Sequence, residues 1–290
     1  MTVSRVVFLA RYRIPHACLS MQFDHFLEGI DRTIISSPVP KDELWSIFAR
    51  YNIDTTGFEY LPDTVILNEY PEIDHWIFAD DYRGKWLWQQ ALKLAVVDYL
   101  DDEVVLIHDP DTFMVEPYCC YKNGRLNYLI LPNTTHDSYR GVLESVVGIE
   151  RQTPHCFVTE LVPVHRDDWQ ALKNLLEHKH NKWFLDAIID AVPGLPTVPP
   201  WGTGNIIKWF SEYELIGNWA MFRHSGDVNT QPQRRFEYDS LDKLGNFTRE
   251  FNCFADAVPD LSLSLHWDNA TQTVRDFDLY YSIVKKCLQT

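Results

Sequence analysis

Apolar and polar positions along this chain alternate between two regimes. Residues 5–10 and 104–107 are almost unbroken apolar runs, the pattern of strands buried on both faces. Residues 32–36, 64–67, 127–131 and 157–164 read as further strands, and 261–266 as a late one. Between them apolar residues recur at helical spacing over 16–29 (Leu19, Phe23, Phe26, Leu27, with Gly29 as a stop), 42–51, 83–100, 167–178 with Asp167 near its cap, and 276–288. Residues 206–219 read as a helix followed by a strand. The strongest helix is 83–100, where Leu87, Ala91, Leu94, Ala95 and Val97 make an apolar stripe and Gln89, Gln90 and Lys93 a polar one. Asn123-Gly124, just ahead of the 127–131 run, is a hairpin-turn signal. Strand–helix–strand alternation predicts an α/β fold with right-handed crossovers and a mostly parallel central sheet flanked by helices.

Composition narrows the class. At 290 residues the chain can bury a large core, and it reads as one elaborated domain. Its division falls near residue 135, with 1–135 as one half and 136–290, including the closing helix, as the other. A net charge of −15 argues against a nucleic-acid binder and against charge-driven adhesion to an anionic membrane. No apolar run reaches the ~18 residues of a membrane span. The first ten residues read as a strand and lack the layout of a signal peptide, so a cytoplasmic location is expected. Cysteines 18, 119, 120, 156, 253 and 287 form no CxxC pair and no zinc spacing, and reduced buried thiols are expected. The Asn-x-Thr sequons at Asn133, Asn246 and Asn269 read as chance. Oligomeric state is not legible.

The candidate chemistry begins where the run 104–107 stops, at His108-Asp109-Pro110-Asp111-Thr112. In extended backbone, residues i and i+2 point to one side, so Asp109 and Asp111 can converge on one hard cation such as Mg²⁺ or Mn²⁺. An Asp-Pro-Asp turn with two solvated acids satisfies the same spacing. Gln90 and Lys93 share a face of the helix that feeds this strand; Lys can reach a phosphate or a sugar, and a solvated helix face is the alternative.

The elements Trp86-Leu87-Trp88-Gln89-Gln90 through Lys93-Leu94, the D-x-D of Asp109 and Asp111, and Ser211-Glu212-Tyr213-Glu214-Leu215 through Gly217 resemble, in order and spacing, a bacterial and phage family of glycosyltransferase-like proteins. The resemblance spans roughly residues 5–270, with Pro110 in place of the more usual Ser or Ala. It implies a GT-A-like (Rossmann-related) nucleotide-diphospho-sugar transferase fold. It further implies a UDP- or GDP-sugar donor, a glycan or other hydroxyl acceptor, and Mn²⁺ or Mg²⁺ as cofactor. On that resemblance Asp111 chelates the metal, and Asp109 completes its shell or binds the ribose. His266, ending the late strand, or alternatively His224, is then the third ligand, with His266 preferred. Glu212 is the candidate base of an inverting transfer, with Glu214 beside it. Gln90 and Lys93 face the donor, Arg11 and Arg13 the base and ribose, Tyr12 stacks on the base, and Glu160 contacts a sugar. Two alternatives share the sheet: a nucleotidyltransferase, disfavoured because residues 11–15 contain no Gly, and a catalytically inactive binding protein.

Overall fold

The computed structural model describes residues 2–76, 82–114, 116–132, 137–191, 210–225, 227–233, 235–238, 253–257, 267–268 and 273–274. In chain order the main elements are β1 (Val3–Phe8), α1 (Ile14–Met21), β2 (Arg32–Ser37), α2 (Lys41–Arg50), β3 (Phe58–Pro62), α3 (Asp63–Glu69), α4 (Tyr82–Tyr99), β4 (Val104–His108), β5 (Arg125–Ile130), α5 (Asp137–Val146), β6 (Leu161–His165), α6 (Arg166–His180), α7 (Phe184–Ala191), α8 (Glu212–Arg223) and β7 (Asn229–Pro232).

The central sheet has five strands in the order β6–β4–β1–β2–β3. The three pairs within β4–β1–β2–β3 are parallel, and β6 runs antiparallel to β4 at the edge. Every residue of β1 and β4 is buried, including Ser4 and Arg5, which explains their largely apolar runs. The register Val7↔His108 across β1 and β4 brings their carboxyl ends level. Beside this sheet β5 pairs in parallel with β7 and antiparallel with Tyr121–Lys122. That hairpin turns on Asn123 and Gly124, both at positive φ (56° and 79°), as a type I′ turn requires.

Helix ends follow their local chemistry. α6 starts on His165, whose side chain accepts from the Asp167 amide, and carries Asp167 and Asp168 in its first turn and His178, Lys179 and His180 in its last. It stops at Asn181, in the left-handed conformation at φ 50°.

Four segments differ from the sequence expectation. Residues 64–67 are not a strand but the middle of α3. Pro62 ends β3, Asp63 opens the helix, and Ile66 is buried while Val65 stays exposed, a helical spacing. The 16–29 helix ends early, at Met21, and a 3-10 turn at Asp24–Phe26 and a two-residue strand at Leu27–Glu28 follow. The 157–164 strand begins only at Leu161, because Glu160 sits at φ +61° and breaks the extended run. After Ser211 there is no strand: Glu212–Arg223 is helical. Residues 212–220 are all buried, and burial on every side erases the stripe that marks a helix in sequence. Residues 261–266 and 276–288 lie outside the described residues.

Candidate active site

Because β1 and β4 are adjacent and parallel, the segments that leave them emerge side by side at the carboxyl edge of the sheet, where open α/β folds hold ligands. Arg11–Arg13 form a single 3-10 turn after β1, and Asp109 to Thr112 follow β4. Arg13 Nη1 lies 2.5 Å from Asp111 Oδ2. The acid segment is indeed a turn, with the Thr112 amide donating to Asp109 O at 3.2 Å. It is not a solvated one.

Thr112 O accepts from Ser20 Oγ at 2.8 Å and from His108 Nε2 at 2.7 Å. The Thr112 hydroxyl donates to Glu160 Oε2, and the Asp109 amide donates to Glu160 O at 2.9 Å. Glu160 reaches both through its left-handed backbone, a conformation uncommon for a residue with a Cβ. It thus braces the acid turn through both its carboxylate and its carbonyl. His108 faces a carbonyl with Nε2, so that nitrogen carries the proton. Burial, with Arg5 nearby, pulls its pKa down to about 4 and keeps the ring neutral.

Behind Asp109 is a buried charge cluster built on the first turns of α8 and the middle of α4. Lys93 is 1 % exposed. Its ammonium lies 2.6 Å from Asp109 Oδ1 and donates to Glu212 Oε1 at 2.8 Å and to the Tyr213 hydroxyl at 3.0 Å. Two of these contacts are hydrogen bonds, to Glu212 and Tyr213, and the Asp109 contact is an ion pair. Burial alone would lower the Lys93 pKa; Asp109 and Glu212 outweigh it, and the net shift is upward. Glu212 is 0 % exposed, and burial raises its carboxyl against the pull of Lys93. Gln90, with its amide nitrogen turned to the carboxylate, donates to Glu212 Oε1 at 2.9 Å. Burial, with Asp109, Glu212 and Glu160 nearby, drives the Tyr213 phenol far above its usual range. So the polar stripe of the 83–100 helix is not solvated: Gln90 and Lys93 point inward, onto the acid pair and the α8 start.

Glu214 has a different task. Ser211 caps α8 by accepting from the Glu214 amide, but the Glu214 carboxylate does not fold back to complete a capping box. It accepts from the Phe157 amide at 2.9 Å and from Asn218 Nδ2 at 3.0 Å, with Arg151 at 3.4 Å, and so ties α8 to the 151–157 loop. The Asn218 side-chain oxygen accepts from the Gln152 amide at 3.0 Å. Gly217 completes this contact: an added Cβ would stand 2.2 Å from Phe157 Cγ.

The remaining candidates separate. Arg11 is turned to Glu43 of α2, at 2.5 Å and largely exposed, while Arg13 takes the acid pair. The Tyr12 side chain and His266 lie outside the described residues. His224 ends α8 and binds Asp168 of α6, 2.9 and 2.8 Å from the two carboxylate oxygens. The 12-residue helix puts it roughly 18 Å along the axis from Glu212, which removes it as a ligand of the acid pair. His16, which sequence reasoning passed over, is buried in α1 with neither ring nitrogen hydrogen-bonded. Burial, opposed by Asp111 and reinforced by Arg13, takes its pKa down to about 4. Nothing in the local pattern distinguishes that histidine from one on a solvated helix face.

Among the described residues no three His, Cys, Asp or Glu side chains gather where one metal ion could take them all. Two strand-end carboxylates are nevertheless a sufficient protein contribution for Mg²⁺ or Mn²⁺ arriving with a diphosphate, since such ions keep waters and phosphate oxygens as their other ligands. The donor set is compatible with that mode.

No protein family matches the sequence, and no curated protein does. Solved structures do match the fold, and the class they define is the GT-A fold, a mostly parallel central sheet flanked by helices. The galactosyltransferase LgtC in complex with donor and acceptor sugar analogues is 11% identical, with 98% of this chain and 95% of that chain covered at a TM-score of 0.52. Mouse xyloside xylosyltransferase 1 is 6% identical, with 94% and 100% covered, at a TM-score of 0.50.

Proposed function

We propose that the chain is a metal-dependent glycosyltransferase that moves a sugar from a nucleotide-sugar, a UDP- or GDP-sugar, to a glycan or other hydroxyl acceptor. The observation that carries this reading is the braced acid pair at the carboxyl end of β4, backed by a buried lysine rather than left to solvent. Asp109 and Asp111 would hold Mn²⁺ or Mg²⁺, which supplies neutralisation of the charge developing on the leaving nucleoside diphosphate. Lys93 fixes the Asp109 carboxylate in one orientation and adds an internal positive charge beneath the donor. The Thr112–Glu160–Ser20–His108 contacts keep the turn from relaxing, the preorganisation that electrostatic catalysis needs.

In this seat Glu212 touches Lys93 and Gln90 and has no exposure through which to reach an acceptor hydroxyl. We therefore read it as a positioning residue for Lys93. The fold likeness to two sugar transferases supports the class of reaction, and no helix among the described residues is long and apolar enough to cross a membrane.

Calorimetry with UDP and GDP in the presence of Mn²⁺ tests the reading. Binding is expected for one of them, abolished by chelator and by Asp111→Asn, with the thermal midpoint of the variant kept. Nucleotide binding indifferent to both treatments refutes the metal role, and no nucleotide binding at all refutes the function.

A further inference from the structure

The two carboxylates of the acid pair are each met by a cation, but the two cations are held very differently. Lys93 is 1 % exposed and has three partners, so it cannot leave without stripping charge from Glu212. Arg13 is the exposed member of its pair, 28 % against 9 % for Asp111. It is also the N-cap residue of α1, where its side chain makes no capping bond.

The Arg13 guanidinium, 2.5 Å from Asp111 Oδ2, repels a divalent cation arriving at the same carboxylate and competes with it for that oxygen. A chain of net charge −15 must moreover supply local positive charge wherever it binds a diphosphate. The planar fork of arginine matches phosphate oxygens as well as carboxylate oxygens.

We infer that Arg13 is an exchangeable counter-ion of Asp111: it gives up the carboxylate to an arriving divalent cation and moves onto the diphosphate of the nucleotide. The inference rests on the proposed metal and nucleotide site and adds a residue and an order of events to it. Its consequence is a pair of opposite effects. Arg13 opposes metal binding in the absence of nucleotide and favours nucleotide binding in the presence of metal.

The test is two titrations on the full chain, Mn²⁺ alone and then UDP and GDP at saturating Mn²⁺, for wild type, Arg13→Gln and Arg13→Lys. Arg13→Gln should bind Mn²⁺ alone several-fold more tightly and the nucleotide about tenfold more weakly, the size of one charge-assisted hydrogen bond. Arg13→Lys keeps the charge but loses the fork. It should leave Mn²⁺ affinity near wild type and weaken the nucleotide about threefold. Should Arg13→Gln fail to fold, this second pattern carries the test. Affinities that fall together, or that both stay unchanged, overturn the exchange and leave Arg13 a fixed tie. A wild type that binds neither Mn²⁺ nor nucleotide overturns the proposed function itself and the exchange with it, so the two failures are read apart.

Discussion

Lys93→Met removes the one positive charge between Glu212 and Asp109. Methionine nearly matches the aliphatic stem and adapts to the gap, so little packing is lost. What remains is a fully buried carboxylate facing a second carboxylate, with the ammonium that stood 2.8 and 2.6 Å from them gone. Removing one partner of a buried ion pair costs about 3–5 kcal/mol, chiefly through the charge left behind. At about 2–4 °C per kcal/mol for chains approaching this size, the thermal midpoint should fall by roughly 6–20 °C.

Lys93→Met combined with Glu212→Gln removes the uncompensated charge as well. The pair should recover about 2 kcal/mol relative to the sum of the single losses. Urea unfolding at pH 7, followed by tryptophan fluorescence and far-UV circular dichroism, measures all three variants. A Lys93→Met loss below about 1 kcal/mol, or additive losses in the double variant, would refute the view that Lys93 is held by its carboxylates.

Three further outcomes follow from other parts of the molecule. Glu214→Gln exchanges a charged acceptor for a neutral one at the Phe157 amide and Asn218; it should cost about 1–3 kcal/mol in urea unfolding and raise proteolysis in the 151–157 loop, and unchanged values in both would remove Glu214 as the tie. Gly217→Ala places a methyl inside the Phe157 ring contact, which backbone and ring must yield to accommodate; a loss of about 1–3 kcal/mol is expected, and a neutral effect would show that the ring moves freely. Asp63, at the start of α3, has its pKa raised by burial to about 6, against the lowering hydrogen bond from Ser36. A raised carboxyl pKa gives stability that is present below the unfolded value near 3.8 and is lost as pH rises through 6. Asp63→Asn should therefore gain on wild type by about 2–3 kcal/mol between pH 4 and 7, and a flat or falling difference across that range would refute the shift.

Much of the scaffold is readable from the chain because its signals are local. The buried runs of β1 and β4, the Asn123-Gly124 turn, the presence of α6 around Asp167 and the length of α4 each rest on residues within a few positions of one another. Local signals mislead where tertiary burial overrides them. α8 is enclosed on all sides over residues 212–220, burying Glu212, Glu214 and Asn218 among its apolar residues, so its period is invisible; Glu160 looks like strand until the Asp109 amide and Thr112 hydroxyl demand its carbonyl and carboxylate.

The same division runs through the site. Sequence alone determined that two carboxylates end a buried strand at i and i+2, that a Gln and a Lys share a face of the preceding helix, and that an acidic element opens a later segment. Which of these meet was decided by the tertiary structure. Parallel pairing of β1 with β4 brings Arg13 rather than Arg11 onto Asp111, and packing of α4 against α8 turns Lys93 inward between Asp109 and Glu212. Two of them, Arg13 with Asp111 and Lys93 with Glu212, join residues 98 and 119 positions apart. No periodicity or spacing encodes them, because the free energy that selects them is burial and charge pairing summed over the whole core.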